Sequence, residues 1–115
     1  IRDADKVIGI LSQYNIESKG LVINRMRGDM LLSGEMMNIE SIVKAMGIPL
    51  LGVIPEDDKV SKMSMDGRIM TDCESARAFT LLAENIHTGC KKIYDCTYKY
   101  RGLMGYLKRN IKKLV

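Results

Sequence analysis

The sequence predicts an α/β fold in which helices cross over a partial parallel sheet, followed by a C-terminal amphipathic helix. Two short apolar runs, at residues 20–24 and 49–54, predict strands, and a helical repeat of apolar residues precedes each of them. This order of helix, strand, helix and strand is typical of a parallel sheet with crossover helices. The third observation is the tail, where apolar and basic residues separate onto two sides of a helix.

The first helix is predicted over Arg2–Gln13. Its apolar positions recur with helical spacing and are Val7, Ile8, Ile10 and Leu11. Asp3 and Asp5 lie in the predicted first turn, where negative charge favours the helix dipole. The apolar run Gly20–Asn24 then predicts a strand that is buried on both faces, as is common in parallel sheets.

Residues 25–37 are polar, rich in methionine and interrupted by glycine, which predicts a loop with room for one helical turn. A second helix is predicted after Asn38, which suits the N-cap position, and it ends at Gly47. Its apolar positions are Ile39, Ile42, Val43 and Met46. The run Pro49–Ile54 predicts a second buried strand, which Pro55 ends.

The rest of the body predicts shorter elements and one long helix. Residues 56–65 favour one or two helical turns with Val60 and Met63 directed inward, and residues 68–70 suggest a brief edge strand. A third helix is predicted over Ser75–Ile86. Its predicted core face consists of Ala76, Phe79, Leu82, Ala83 and Ile86.

Positive charge is concentrated at the C-terminus. The formal net charge is +4, but residues 91–115 hold eight basic residues and one acid and therefore carry +7, which leaves −3 on residues 1–90. We expect a body at 1–90, a linker at 91–101 and a helix at 102–115. The basic side of this helix consists of Lys108, Arg109, Lys112 and Lys113. Its apolar side consists of Leu103, Met104, Tyr106, Leu107, Ile111, Leu114 and Val115.

Two interpretations of this tail remain open from the pattern alone. A helix with apolar and basic sides suits an anionic membrane surface. Any surface helix docked on its own domain also has two such sides, with its basic face in water. The asymmetry of charge favours an anionic partner for the tail only.

Common catalytic and metal motifs are absent from the sequence. It has no Gly-x-x-x-x-Gly-Lys-Ser/Thr phosphate loop and no Gly-x-Ser-x-Gly elbow. One histidine and three irregularly spaced cysteines predict no metal site and free thiols in a reducing cytosol. The acids Glu56, Asp57 and Asp58 follow a strand, where capping of the next helix is a commoner role than acid–base catalysis. We predict no catalytic residue.

Four segments resemble the MinD family of bacterial division-site ATPases, which belongs to the ParA/MinD superfamily. The longest is RGDMLLSGEMMNIESIVKAMGIPLLGVIPEDDKV, from Arg27 to Val60. The others are IRDADKVIGIL at the start, LVINRMR at the first strand and RGLMGYLKRNIKKLV at the tail. The resemblance as a whole extends over essentially the whole chain. The resemblance implies the C-terminal half of a P-loop NTPase fold.

The resemblance also implies ligands, partners and a location. ATP would be bound through its base, with Asn24 and Arg25 on one side and Pro55, Glu56 and Asp57 on the other. Asp3 and Asp5 would lie on a partner-binding helix, and the implied partners are a second copy and MinC- and MinE-type proteins. The tail would anchor the protein reversibly to the inner face of the cell membrane from the cytoplasm, in division-site placement. Its implied lipid contacts are Leu103, Met104, Tyr106, Leu107, Lys108, Arg109, Ile111, Lys112, Lys113 and Leu114.

The family's phosphate loop, magnesium site and catalytic aspartate precede the segment that this chain resembles. We therefore expect a fragment or a degenerate relative, with no ATPase activity from these residues alone. The alternative function is a small regulatory module whose basic tail binds nucleic acid. The body lacks the basic stripe that is typical of nucleic-acid-binding proteins, which argues against this alternative. Nucleic-acid binding needs the charges of the tail, whereas membrane binding also needs its apolar side.

Overall fold

A computed structural model describes the backbone of residues 1–114 and the side chains of residues 1–112. Its strands are β1 (Leu21–Met26) and β2 (Leu50–Pro55), which pair in parallel. Its helices are α1 (Arg2–Gln13), α2 (Gly28–Ser33), α3 (Ile39–Met46), α4 (Asp58–Met65), α5 (Glu74–Thr88) and α6 (Gly102–Leu114), with a 3₁₀ turn at Tyr98–Tyr100. The predicted α/β class with a partial parallel sheet is confirmed.

The two helices with clear local signals have their predicted bounds. The α1 helix covers Arg2–Gln13. At the start of α3, the Asn38 side chain accepts a hydrogen bond from the Ser41 amide at 2.7 Å. At its end, Gly47 has a φ of 65°, a left-handed conformation that glycine adopts without steric cost. Helix boundaries that depend on caps could therefore be read from the sequence.

The predicted burial of β1 on both faces is wrong. Val22 is 40% exposed, and Asn24 and Arg25 are also exposed. The strand also runs two residues past the predicted end, to Met26. Within the described residues β1 has one strand neighbour, β2, whereas β2 is buried from Gly52 to Pro55 because α5 packs on it.

The core joins the sheet to the segment before the tail. Met26, Val53 and Cys96 form the buried cluster, with Ile93 and Tyr94 packed against it. Residues 91–101 therefore pack on the body. The α2 helix lies in the region that was predicted as a loop. Its first residue, Gly28, contacts the backbone of residues 91–101. A Cβ placed on Gly28 would lie 1.8 Å from the Cys96 carbonyl oxygen, so the close approach requires glycine.

The predicted core face of α5 is wrong at three of its five residues. Phe79 is 43% exposed and Ile86 is 65% exposed, and Ala83 is exposed as well. The buried residues of this helix are Ser75, Ala78 and Asn85, with the predicted Ala76 and Leu82 half-buried. The helix rests on β2 where Gly52 has no side chain, since a Cβ there would lie 3.0 Å from Leu82 Cδ1.

A buried polar residue, Asn85, lies where α5 packs on β2. Its side-chain nitrogen donates to the Leu51 carbonyl at 2.9 Å and to the Lys92 carbonyl at 2.8 Å. Its side-chain oxygen accepts from the Lys92 amide at 3.0 Å. One buried amide thus ties α5 to β2 and to residue 92, and these bonds offset the cost of burying it.

The remaining short elements follow the prediction in part. The α4 helix forms, with Val60 and Met63 half-buried as expected. Residues 68–70 are irregular, so the predicted edge strand is wrong. The carbonyl of Met63 accepts from the Arg68 amide at 2.9 Å, within the turn that follows α4.

Candidate functional site

A bulge near the end of β1 places Asn24 and Arg25 at the edge of the sheet. Ile23 pairs with Val53 and Met26 pairs with Pro55, so two residues of β1 lie opposite one residue of β2. Arg25 has a φ of 55°, in the left-handed region that residues other than glycine rarely adopt. Bulges re-aim side chains out of the regular ladder, and this one brings two of the predicted base-contacting residues out of the strand.

The chain after β2 meets this bulge. The Arg25 guanidinium contacts the Glu56 carboxylate at 2.8 Å, and this hydrogen bond together with the negative charge raises the pKa of Arg25. The Glu56 amide donates to the Met26 carbonyl at 2.9 Å, which extends the pairing of the two strands by one residue. The two segments that were predicted to lie on either side of a ligand are therefore in direct contact.

A cavity of about 460 Å³ opens between these segments, α4 and α5. All five predicted base-contacting residues line it, namely Asn24, Arg25, Pro55, Glu56 and Asp57. Its apolar lining consists of Ile54, Val60, Met70 and Phe79. The volume is within the range of about 300–1,000 Å³ that is usual for small-molecule sites.

Asp57 has a structural role that its sequence position indicates. One carboxylate oxygen accepts from the Lys59 amide at 3.0 Å and so caps α4, which confirms the expected helix-capping role. The other oxygen accepts from the Ser75 amide at 3.2 Å, in the first turn of α5. Burial raises the pKa of Asp57, but these two hydrogen bonds, together with one from the Cys73 side chain and the charge of Lys99, outweigh it and hold the pKa below its usual value.

Ser75 is a site residue that the sequence reasoning missed. Its side chain is almost fully buried, and its hydroxyl donates to the Pro55 carbonyl at 3.1 Å. From the sequence it is only the first residue of a predicted helix, with no role assigned. Its partner is 20 residues away in sequence, and no local pattern points to that pairing.

The cavity suits a flat heteroaromatic group. The Asn24 side-chain oxygen accepts from the Arg25 amide, while its nitrogen has no hydrogen-bond partner among the described residues and can donate to a ligand edge. A guanidinium plane such as that of Arg25 can stack on an aromatic face. Acids follow at Glu56, Asp57 and Asp58, an environment unsuited to phosphate groups. These residues fit the base of a nucleotide, and their role in binding one stays a prediction.

The described residues bring no three His, Cys, Asp or Glu side chains together as a metal site.

Asp3 and Asp5, the predicted partner-binding residues, lie exposed in the first turn of α1 and do not line the cavity. Nearby, Val7 and Leu11 of α1 face Leu21 and Val22 across an apolar groove beside β1. The structure thus separates the predicted partner residues from the predicted base site.

The α6 helix presents its apolar side to solvent. Its exposed fractions are 79% for Leu103, 68% for Met104, 55% for Tyr106, 48% for Leu107 and 61% for Ile111. Lys108 is exposed and Arg109 is half-buried, while Lys113 and Leu114 lie outside the described side chains. A helix docked by its apolar side with its basic face in water is therefore not what the structure contains.

Arg109 and Lys112 of the basic side of α6 line a cleft together with Arg27 and Asp29, whereas Lys108 is exposed. Lys112 Nζ donates to the Tyr100 hydroxyl at 3.2 Å and lies 5.6 Å from the centre of the same ring. The helix begins very close to this residue, since a Cβ on Gly105 would lie 2.0 Å from the Tyr100 carbonyl carbon. None of the helices in the described part of the chain combines the length and apolar character needed to cross a bilayer.

The fold and the cavity define an α/β protein of the class that binds ligands at the carboxyl edge of a parallel sheet. Residues 3–70 match the family described as the CobQ/CobB/MinD/ParA nucleotide binding domain. Because the match covers more than half of the chain, the chain belongs to this family. Within the family it is MinD-like, as the following relatives indicate.

The septum site-determining protein MinD of Helicobacter pylori is 38% identical over 95 residues, which is 75% of this chain and 35% of that protein. MinD of Bacillus subtilis is 46% identical over 68 residues, 58% of this chain and 25% of that protein. A structure of a MinC:MinD complex from Aquifex aeolicus superimposes with a TM-score of 0.74 at 26% identity, over 79% of this chain and 38% of that one. The chain thus spans about a third or less of these two relatives. The predicted resemblance is confirmed.

Proposed function

We propose that this chain is the C-terminal portion of a MinD-type ATPase acting in division-site placement, supplying the base side of the ATP site and a reversible membrane anchor. The observation that carries the proposal is the orientation of α6, whose apolar residues face solvent in a chain that belongs to the MinD-containing family. An exposed apolar stripe on a soluble domain is typical of an interaction surface.

The chemistry of α6 favours an anionic bilayer as the partner. Leu103, Leu107 and Ile111 are exposed on the same helix as Lys108 and Lys112. Full burial of each apolar side chain contributes at most about 1.5–3 kcal/mol, and each basic residue near an anionic leaflet adds about 1 kcal/mol. Partial burial reduces the first contribution, so one short helix binds reversibly. Dimerisation would double the anchors and strengthen attachment by avidity.

The cavity supports the nucleotide part of the proposal. Asn24 and Arg25 contribute an amide and a guanidinium at its edge, and Pro55 and Glu56 form the opposite side. ATP, when bound, would supply the free energy of hydrolysis through parts of the fold that precede this segment in the family. These residues alone hold a base, so we expect no magnesium-dependent ATP turnover from the 115-residue chain.

The partners follow from the relatives. One superimposed structure is a complex of MinC with MinD, which supports a MinC-type protein as a partner of this chain. Asp3 and Asp5, exposed on α1, are the residues we assign to partner contact, with MinE-type proteins and a second copy as the other partners. The location that we propose is the cytoplasmic face of the cell membrane.

Vesicle co-sedimentation tests the anchor. The chain is compared with Leu107→Glu and Ile111→Glu on vesicles of anionic and neutral lipid. We expect the unchanged chain to pellet with anionic vesicles and both variants to remain in the supernatant, because a buried carboxylate opposes insertion. Ile86→Glu is the matched control, since Ile86 of α5 is 65% exposed and Ile111 is 61% exposed.

Two results would contradict the anchor. If Leu107→Glu and Ile111→Glu pellet as well as the unchanged chain, the apolar side is not inserted. If Ile86→Glu loses binding equally, the effect is not specific to α6. Salt-sensitive binding of DNA that all variants retain would favour the nucleic-acid alternative, because that binding needs only the charges.

A further inference from the structure

We propose that Ser75 is a positioning residue which, together with Asp57, fixes the loop Pro55–Asp57 at the cavity and thereby sets its affinity for a purine base. This inference rests on the proposed function, in which the cavity binds the base of a nucleotide. Ser75 lines the cavity but is almost fully buried, so it acts through the loop.

Two hydrogen bonds connect Ser75 to the two ends of this loop. Its hydroxyl donates to the carbonyl of Pro55 at 3.1 Å, and its amide donates to the carboxylate of Asp57 at 3.2 Å. The second oxygen of Asp57 accepts from the Lys59 amide at 3.0 Å. The loop is thus fastened to the first turn of α5 and to the first turn of α4.

Glu56, the residue between Pro55 and Asp57, is held by β1 on the other side of the cavity. The Glu56 amide donates to the Met26 carbonyl at 2.9 Å, and its carboxylate contacts Arg25 at 2.8 Å. The loop therefore has contacts to α5 on one side and to the bulge of β1 on the other. Loss of the α5 contacts leaves the bulge as its support across the cavity.

A loop that is held in one position needs no rearrangement to receive a ligand. When a loop samples several positions, the apparent dissociation constant rises in inverse proportion to the competent fraction. Ser75 contacts no ligand in this account, and its contribution is to keep that fraction high. The loss of one hydrogen bond of ordinary net strength predicts a rise of about three- to tenfold in the dissociation constant for adenosine.

Amide NMR of the ¹⁵N-labelled chain, titrated with adenosine, tests the proposal. The variants are Ser75→Ala, which removes the hydroxyl donor, and Asp57→Asn. Asparagine keeps an oxygen for the Lys59 amide, since it caps helices as well as aspartate does, but presents an amide nitrogen to Ser75. Thr80→Ala is the matched control, because the Thr80 hydroxyl bonds the Ala76 carbonyl within α5 and does not reach the loop.

We expect both loop variants to bind adenosine more weakly and their Glu56 amide to show millisecond exchange broadening that α1 amides lack. A purely structural role would lower the melting temperature without localised exchange, and Thr80→Ala should keep the original affinity. A folded Ser75→Ala with unchanged affinity overturns the inference, as does equal loss in Thr80→Ala. If Ser75→Ala does not fold, Asp57→Asn decides through the exchange broadening of the Glu56 amide, because Asp57 lines the cavity and its affinity alone would also report a direct contact; absence of that broadening overturns the inference. Absence of adenosine shifts in the unchanged chain overturns the base site itself, and the positioning role with it.

Discussion

Replacement of Asn85 by leucine removes three hydrogen bonds from the packing of α5 on β2. The side chain of Asn85 is 3% exposed and bonds the Leu51 carbonyl, the Lys92 carbonyl and the Lys92 amide. Leucine has a similar size, so the change strands polar groups without opening a large cavity. Lys92 lies in an exposed segment where water can replace its bonds, whereas the Leu51 carbonyl lies beneath α5. We expect a loss of about 1–3 kcal/mol in the free energy of unfolding, the cost of leaving one buried acceptor without a partner.

Urea unfolding followed by far-UV circular dichroism measures this change. A lower midpoint with an unchanged slope reports stability alone. Glu84→Leu, one position earlier on the exposed side of α5, is the control and should stay within about 0.5 kcal/mol of the original. If Asn85→Leu costs no more than Glu84→Leu, the amide does not secure the helix and the reasoning is refuted.

Replacement of Asn85 by aspartate adds a dependence on pH. The new carboxyl would face two carbonyl oxygens in a buried position, which raises its folded pKa above the unfolded value. Its protonated form can donate one hydrogen bond, so the variant is most stable below the unfolded pKa and loses stability as pH rises through the folded one. If the stability of Asn85→Asp relative to the original chain rises with pH, the predicted pH dependence is wrong.

Three further predictions concern the tail, the thiols and the helix cap. Gly105→Ala places a Cβ against the Tyr100 backbone, so the Tyr100 NMR signals should move while helix content is retained, and unchanged signals would contradict the contact. Burial raises the pKa of Cys96 to about 12, so at neutral pH a thiol reagent should label exposed Cys90 first, and equal rates would refute this. Because the pKa of Asp57 is lowered in the folded chain, its carboxylate stabilises the fold at pH values above its ordinary pKa of 3.8. This stabilisation is lost as the pH falls through the folded pKa. The difference in the free energy of unfolding between the original chain and Asp57→Asn, measured in urea, should therefore shrink in acid. A difference that grows in acid would contradict the capping role of Asp57.

The parts of this fold that depend on local sequence could be predicted, and the parts that depend on distant partners could not. Asn38 and Gly47 fix the ends of α3 through bonds and dihedral angles within a few residues. The buried side of α5 depends on Leu51 and Lys92, which no helical repeat reveals. A hydrophobic pattern therefore placed Ile86 inside, although the neighbouring Asn85 is the buried residue.

The candidate site shows the same division. Parallel strands bring their carboxyl ends to one edge of the sheet, and the cavity at that edge contains both Asn24 and Pro55, which the family resemblance had paired. The bulge at Arg25 depends on the register between two strands. The role of Ser75 depends on the carbonyl of Pro55, which is 20 residues earlier in the sequence. Neither leaves a signature in its own segment of sequence.

The outward apolar side of α6 also governs how copies of this chain behave in solution. Leu103 and Ile111 can meet their counterparts on another copy, while the +7 charge of residues 91–115 keeps copies apart. Added salt shortens the range of that repulsion and leaves the apolar attraction in place. If α6 is the membrane anchor proposed above, the salt that weakens its attachment to anionic lipid should also promote clustering of the free protein, so colloidal stability and membrane release would respond to ionic strength in opposite directions.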